Sequence, residues 1–374
     1  MIAFVFQSDA YGGHEVMALQ MINSLIKNGE KICAILNVKN HHLSSSIQIP
    51  GVDLIFIEIE RTRLDLIFGC YSFNFSKNIK IFSKLITSLN IDRIILVNGN
   101  VVANHGSSLS FICAAKKIDV KSIVYIPMLH SSEELALSRL KAFFYNLSVK
   151  RLISRVDSVI VISDSWKCRV LTLFPEKNVQ VIKNIVTKKR IVGRNLNSSD
   201  SINLCFIGRL DKRQKGIDFL FEIVSELMLG LDFHLHLIGD GDDRGYVENM
   251  AATFKEVPNV KITIYGWLED PLFILRKCIA LLMPSRLEGM PLVALDSMSL
   301  KIPVFAFDIP GVNEIVSKKF LSPPFDIKHF SSNLINYISD ENRANYQDSC
   351  SQVDISEYYD LDRFETELES AIVL

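Results

Sequence analysis

The segment Asn203–Ile238, NLCFIGRLDKRQKGIDFLFEIVSELMLGLDFHLHLI, decides the fold class of this chain. It opens with an apolar run at 203–207, continues with apolar residues at helical spacing from Gly216 to Leu229, and closes with a second apolar run at 233–238. Short apolar runs that alternate with longer segments of helical period are typical of parallel strands joined by helices. The segment therefore predicts a β-α-β unit inside an α/β domain.

The same alternation extends in both directions, and 374 residues are enough for two domains of ordinary size. We expect a Rossmann-like domain over 1–184, a polar linker over 185–201, a second Rossmann-like domain over 202–356, and an amphipathic helix over 357–374 that packs back on the first domain. Further predicted strands lie near 2–7, 31–36, 52–57, 93–97, 122–126, 158–162, 261–264, 280–283 and 303–307, and the clearest further helices are 14–28 and 291–300.

Composition excludes several classes of protein. The 41 Lys and Arg residues are balanced by 42 Asp and Glu residues, so no excess of positive charge favours nucleic acid as a partner. The seven cysteines are scattered without a C-x-x-C pair, which is typical of reduced thiols in a cytosolic protein and offers no zinc site. No basic leader and no run of about 18 apolar residues is present, so we expect a protein that is neither secreted nor membrane-spanning.

The first predicted strand is followed by a loop that contains Gly12 and Gly13. Two glycines allow backbone N–H groups to approach a ligand, and the helix after them offers a positive dipole end that suits phosphate. The pair could equally serve only to make a tight turn.

The loop at 208–216, GRLDKRQKG, places Arg209 and Lys215 between a strand and a helix. A planar guanidinium and a point-charge ammonium in one loop could hold a diphosphate. The other interpretation is a solvated basic loop.

The segment PSRLEGMPLVALD at 284–296 is the most informative. If Pro291 takes the first helical position, Glu288 lies in the loop before the helix and Asp296 more than one turn inside it. Both carboxylates could then accept hydrogen bonds from hydroxyl groups of one ligand, and the Gly289 amide could receive an anionic group. Alternatively, Glu288 caps the helix and Asp296 faces solvent.

Taken together and in order, these three motifs resemble those of the family 4 retaining glycosyltransferases, and weaker matches such as IPMLHSS around His130 fill the gaps between them. The resemblance covers nearly the whole chain and implies the GT-B arrangement, in which two Rossmann-like domains face a central cleft. It also implies transfer of a sugar from a nucleotide diphosphate donor without a metal or another cofactor. The acidic pair that most resembles a metal-binding D-x-D motif is Asp240 and Asp242, and we expect it to form a turn instead.

The resemblance also assigns roles to individual residues. Arg209 and Lys215 would bind the donor diphosphate, Glu288 would lie beside the donor sugar, and Asp296 would hold the ribose hydroxyls. His130 would lie beside the reacting sugar, although a histidine with satisfied hydrogen bonds at a strand end fits the position too. Asp296 stands where the family usually has Glu. The rest of the predicted donor pocket is Gly12, Gly13, Gly289, Met290 and Leu292.

The acceptor is expected to be handled by the first domain. Residues 138–155, SRLKAFFYNLSVKRLISR, carry five basic residues and no acid, with aromatic residues between them. Such a helix could rest on an anionic membrane at the inner face of the plasma membrane, where a lipid-linked acceptor is found, or it could pack in the core with a solvated basic face. The resemblance suggests a glycan or lipid-linked acceptor in bacterial polysaccharide assembly. A sugar-nucleotide epimerase and an inactive nucleotide-sugar-binding module are the alternative functions.

Overall fold

The computed structural model describes residues 1–7, 12–38, 43, 47, 49–58, 74–98, 105–135, 137–186, 202–340 and 354–373. They divide into two compact units, one of Met1–Ile185 with Leu361–Leu374, and one of Val186–Asp360. Residues 187–201 of the predicted linker lie outside the described residues.

The first unit contains a parallel sheet of seven strands in the order β3-β2-β1-β4-β5-β6-β7. Apolar runs form its central strands, as predicted, because both faces of a parallel sheet are covered and exclude water. The last strand was not predicted, since NVQV is too short and too polar to stand out. The strands are β1 (Ile2–Phe6), β2 (Ile32–Asn37), β3 (Val52–Ile57), β4 (Arg93–Val97), β5 (Lys121–Tyr125), β6 (Ser158–Val161) and β7 (Asn178–Val181).

Helices alternate with these strands along the chain. Their buried faces are apolar, as in α1, where Met17, Met21 and Leu25 are almost completely buried. The helices described in this part of the chain are α1 (Gly13–Lys27), α2 (Asn74–Ser88), α3 (His105–Lys117), α4 (Arg139–Arg155) and α5 (Asp164–Leu173).

The second unit contains a parallel sheet of six strands in the order β10-β9-β8-β11-β12-β13. In both sheets the strand order reverses beside the first strand, which is the Rossmann-like arrangement. The two predicted α/β domains are therefore confirmed as to fold class. The strands are β8 (Ile202–Ile207), β9 (Phe233–Ile238), β10 (Val260–Gly266), β11 (Ala280–Met283), β12 (Val304–Phe307) and β13 (Leu321–Ser322).

The helices of the second unit differ from the predicted ones in two places. The helix predicted from Gly216 to Leu229 spans Ile217–Leu227, with Gly216 as its N-cap in the left-handed conformation, and a one-turn helix that was not predicted precedes it. Pro291 is the residue before its helix, with ψ of 115°, and does not occupy the first helical position. The helices are α6 (Lys212–Lys215), α7 (Ile217–Leu227), α8 (Arg244–Thr253), α9 (Leu272–Leu275), α10 (Leu292–Ser299) and α11 (Ile327–Ser339).

The C-terminal helix α12 spans Leu361–Val373 and begins four residues later than predicted, because Ile355–Tyr359 form a 3-10 helix. It packs within the first unit. The backbone N–H of Lys183 donates to Oε2 of Glu367 at 3.1 Å, and the Asn28 side chain donates to Oε1 of Glu369 at 2.7 Å.

Candidate functional site

Two loops of the second unit meet at the carboxyl ends of neighbouring strands. Strands β8 and β11 pair in parallel, so the loop that follows β8 and the loop that follows β11 leave the sheet at the same edge. This edge is where open α/β sheets bind ligands. The consequence is that Lys215 and Glu288, 73 residues apart in sequence, lie side by side.

Lys215 and Glu288 form a largely buried ion pair. The Lys215 Nζ atom lies 2.6 Å from Glu288 Oε1, and the two side chains are only 17% and 5% exposed. The Ser285 hydroxyl donates to the same Oε1 atom at 2.7 Å. A charge-assisted hydrogen bond in such surroundings is stronger than one in water, and a carboxylate in contact with a cation and a hydroxyl is fixed in orientation.

The local backbone sets the position of Lys215. It is the last residue of α6, a single turn that Asp211 caps by accepting a hydrogen bond from the Gln214 N–H at 2.9 Å. Gly216 follows with a φ of 62°, and a Cβ atom at that position would lie 2.0 Å from the carbonyl oxygen of Pro284. Only glycine allows the two loops to approach this closely.

Arg209, the other predicted diphosphate ligand, has an exposed side chain in the same loop. Its Nη2 atom donates to Gln214 Oε1 at 3.4 Å, so it is tied loosely to α6.

The remaining predicted donor residues lie around the start of α10. Gly289 and Met290 are buried and Leu292 is half-buried. The backbone at Gly289 is closely packed, since a Cβ on Gly311 would lie 1.7 Å from the Gly289 carbonyl oxygen.

Asp296 lies inside α10 and is only 4% exposed, so the interpretation that it faces solvent is wrong. Burial raises the pKa of the neighbouring Tyr359 phenol, a hydrogen bond with Ser299 opposes that rise, and the charge of Asp296 adds to it. Asp296 is therefore a buried carboxylate close to the 3-10 helix at 355–359.

In the first unit, Gly12 and Gly13 form the start of α1. The Gly12 N–H donates to Glu15 Oε2 at 2.8 Å, and Gly13 is the first helical residue. The Glu15 carboxylate is 1% exposed, and its Oε1 atom lies 2.6 Å from His14 Nε2. Ala10 and Tyr11 of the predicted loop lie outside the described residues.

His130 is buried after β5 in a cluster of polar and aromatic side chains. Its ring packs edge-on against Trp166 at 5.4 Å, and its Nδ1 atom lies 3.6 Å from Glu134 Oε2. Arg169 in turn donates to Glu134 Oε1 at 2.7 Å, and Tyr145 donates to the His130 carbonyl at 2.5 Å. Burial acts to raise the pKa of Glu134, but the hydrogen bond from Arg169 and another from the Ser131 backbone outweigh it and lower the pKa.

Helix α4 has one buried and one exposed face. Its buried residues are apolar or aromatic, whereas Leu140 and Phe143 near its start are 67% and 62% exposed. The helix contains no acidic residue among its basic ones. One side of the helix packs in the core, and the other presents basic and apolar side chains to solvent. Contact of this helix with a membrane stays a prediction.

Two residues beside the site were not predicted, Ser285 and Arg286. Ser285 is buried against Glu288, and its spacing in S-x-x-E was the available signal. Arg286 joins the loop to Asp218, 68 residues away, and the sequence holds no signal for that contact.

The part of the chain that the structure describes contains neither a group of metal ligands nor a membrane-spanning helix. Across the described ranges, no three His, Cys, Asp or Glu side chains are grouped so that they could hold a metal ion. Among the helices named above, none is both long enough and apolar enough to cross a bilayer.

Comparison with a solved structure identifies the fold. A crystal structure of Anabaena Alr3699/HepE in complex with UDP and glucose has the same fold, with a TM-score of 0.77 over 100% of this chain and 99% of that chain at 15% identity. The chain therefore has the GT-B fold of two Rossmann-like domains, as predicted.

Part of the sequence matches a known family and several curated relatives. Residues 201–340 match the family model described as Glycosyl transferases group 1. The chain is 29% identical over 199 residues to lipopolysaccharide 1,6-galactosyltransferase of Escherichia coli strain K12, a match that covers 50% of this chain and 54% of the relative. It is 26% identical over 238 residues to an uncharacterised 41.2 kDa protein in the cps region of Klebsiella pneumoniae, covering 58% and 63%.

These alignments span between half and two thirds of the length of the two relatives. The predicted resemblance is confirmed for the group 1 glycosyltransferases, and assignment to family 4 stays a prediction.

Proposed function

We propose that this chain is a glycosyltransferase that moves a sugar from a nucleotide diphosphate donor to an acceptor hydroxyl with retention at the anomeric carbon. The observation that carries the proposal is the buried Lys215–Glu288 pair at the carboxyl edge of the second sheet. A cation at this edge can offset the charge of a diphosphate, and a carboxylate beside it can accept hydrogen bonds from sugar hydroxyls.

In the proposed reaction the bond between the anomeric carbon and the β-phosphate oxygen breaks, and a bond to the acceptor oxygen forms. The acceptor proton passes to a phosphate oxygen of the departing nucleotide. Negative charge grows on the β-phosphate as the bond breaks, and Arg209 and Lys215 stabilise it where it forms. Glu288 orients the sugar and Asp296 holds the ribose, whereas the role of His130 beside the reacting sugar stays a prediction. The scheme requires no metal and no other cofactor.

The relatives narrow the substrate class. The HepE structure holds UDP and glucose, and the E. coli relative is a lipopolysaccharide galactosyltransferase. We infer a UDP-sugar or related nucleotide sugar as donor, and a glycan or lipid-linked oligosaccharide of polysaccharide biosynthesis as acceptor.

Helix α4 supports an association with the cytoplasmic face of an anionic membrane. Its basic side chains would contact lipid phosphates while Leu140 and Phe143 enter the interface. The hydroxyl of Tyr145 on this helix donates to the His130 carbonyl, so a docked helix would bring the His130 loop close to a lipid-linked acceptor.

A donor panel tests the activity. The protein is incubated with UDP-, GDP-, ADP- and dTDP-sugars with and without lipid-linked and glycan acceptors, and the anomeric configuration of the product is read by NMR. We expect transfer or slow hydrolysis with retention, unaffected by EDTA, and a large loss in Glu288→Gln. Interconversion of two nucleotide sugars would instead identify an epimerase, and binding without turnover an inactive module.

Vesicle sedimentation tests the membrane proposal separately. Wild-type protein should sediment with phosphatidylglycerol vesicles at low salt and remain in solution with phosphatidylcholine. The double change Leu140→Asp with Phe143→Asp should abolish sedimentation. Leu173→Asp on α5, which alters another exposed leucine of the same unit, should leave it intact. Equal binding to both lipids, or to neither, would contradict the proposal.

A further inference from the structure

Arg286 is a half-buried residue of the loop that carries Glu288, and it contacts several neighbours. Its guanidinium donates to both carboxylate oxygens of Asp218, at 2.6 and 2.7 Å, and lies 3.6 Å from the centre of the Phe219 ring. It also donates to the carbonyl oxygen of Lys212 at 2.5 Å. The backbone N–H of Arg286 donates to the carbonyl oxygen of Gln214 at 2.8 Å.

These contacts converge on α6, the one-turn helix that ends with Lys215. A helix of four residues has little stability of its own, because its terminal carbonyl groups have no partner within the helix. Arg286 supplies partners for two of those carbonyls, one through its side chain and one through its backbone. On another side of the turn, the Asp243 carboxylate accepts a hydrogen bond from the Lys212 N–H at 2.7 Å.

The ion pair with Asp218 makes the Arg286 guanidinium unavailable to a ligand. Burial acts to raise the pKa of Asp218, but the hydrogen bonds and charge of Arg286 lower it, so the carboxylate stays ionised and the two charges compensate each other. A bidentate pair fixes the guanidinium in a plane and leaves it poorly suited to bind a phosphate.

We propose that Arg286 is a positioning residue for Lys215. Arg286 lies in the same loop as Glu288, two residues before it, and holds α6 against that loop. It thereby keeps the Lys215 ammonium 2.6 Å from the Glu288 carboxylate. Arg286 itself does not contact the donor. The inference rests on the proposed function, in which Lys215 binds the donor diphosphate.

A double-mutant cycle measures the coupling between the two residues. The affinity of the full chain for UDP, GDP and ADP is measured by calorimetry, and the cycle uses the nucleotide that wild type binds most tightly. We expect Arg286→Ala to weaken that affinity by on the order of 10- to 100-fold, because a small displacement of a binding group is costly. In a Lys215→Met background the same change should cost less than about twofold, since residues that act through one contact are not additive.

Further variants separate positioning from general damage to the fold. Arg213→Ala removes an exposed guanidinium from the same helical turn and should bind as wild type does. Arg286→Lys should recover part of the affinity, and Asp218→Asn should lose affinity in the same direction as Arg286→Ala. Circular dichroism and thermal melting identify variants that are folded, and if Arg286→Ala is not, the Asp218→Asn cycle replaces it.

The outcomes distinguish this inference from the proposed function. Equal losses for Arg286→Ala in both backgrounds, or wild-type affinity in Arg286→Ala when Lys215→Met has lost it, would overturn the positioning role alone. Wild-type affinity in Lys215→Met would remove the proposed diphosphate contact, and the positioning role with it.

Discussion

Replacing Gly216 by alanine should separate the two loops that form the candidate site. The residue has a φ of 62°, which costs an alanine about 1 kcal/mol relative to glycine. Its Cβ would lie 2.0 Å from the Pro284 carbonyl oxygen, whereas real Cβ contacts stay beyond 3.0 Å, so the backbones must move apart by about 1 Å. Overpacking of this kind costs a further ~1–3 kcal/mol. We expect a total loss of about 2–4 kcal/mol and a weakened Lys215–Glu288 contact.

Thermal melting of the second unit and calorimetry with UDP, GDP and ADP check this expectation. For a unit of this size, the melting temperature should fall by about 5–15 °C. Gly266→Ala is the matched control, because Gly266 has a φ of 70° but its nearest neighbour is a flexible arginine tip at 3.5 Å. It should lose about 1 kcal/mol, and Gly245→Ala on α8, where space is open, should gain ~0.5–1 kcal/mol. If Gly216→Ala were no worse than Gly266→Ala, the close approach of the loops would be refuted.

Three further predictions concern the side chains of His236, Asp296 and Glu134. Burial, with the charges of His234, Lys261 and Lys277, lowers the pKa of His236 from 6.5 to about 4, so its contribution to stability is complete above pH 6.5 and is lost as the pH falls towards 4. Urea unfolding should show a loss of about 2 kcal/mol between pH 7 and pH 5 that is absent in His236→Gln; an unchanged pH dependence in the variant would contradict it. Asp296→Ala should weaken UDP binding by about 10- to 100-fold but leave 2′,3′-dideoxy-UDP binding unaffected, and a similar loss for both nucleotides would exclude a ribose contact. Glu134→Gln should lower kcat with little change in the donor KM, because Glu134 contacts His130, the residue of the first unit that is predicted to lie beside the reacting sugar. A raised donor KM with unchanged kcat would argue against this role of Glu134.

More of the fold than of the candidate site could be predicted from the sequence. Apolar runs mark the central strands because those strands are buried on both faces, and the loops that carry Lys215 and Glu288 follow directly from them. The one-turn helix α6 before Gly216 was not predicted, because four polar residues are too few to show a helical period.

The contact between Arg286 and Asp218 could not be predicted at all. Each residue alone has the appearance of a solvated charge, and only the parallel pairing of β8 with β11 brings them together. Strand β7 was missed for a local reason, since a run of four residues with two polar side chains carries no periodic signal.

The return of α12 to the first unit has a consequence for the order of folding during synthesis. Residues Val186–Asp360 form one continuous stretch, whereas the first unit is assembled from two stretches on either side of it. Phe364 and Leu368 become buried only after that stretch has left the ribosome, and the hydrogen bond from Lys183 to Glu367 forms only then. The second unit can thus fold as soon as residue 360 has emerged, whereas the first unit is complete only after α12 has been synthesised.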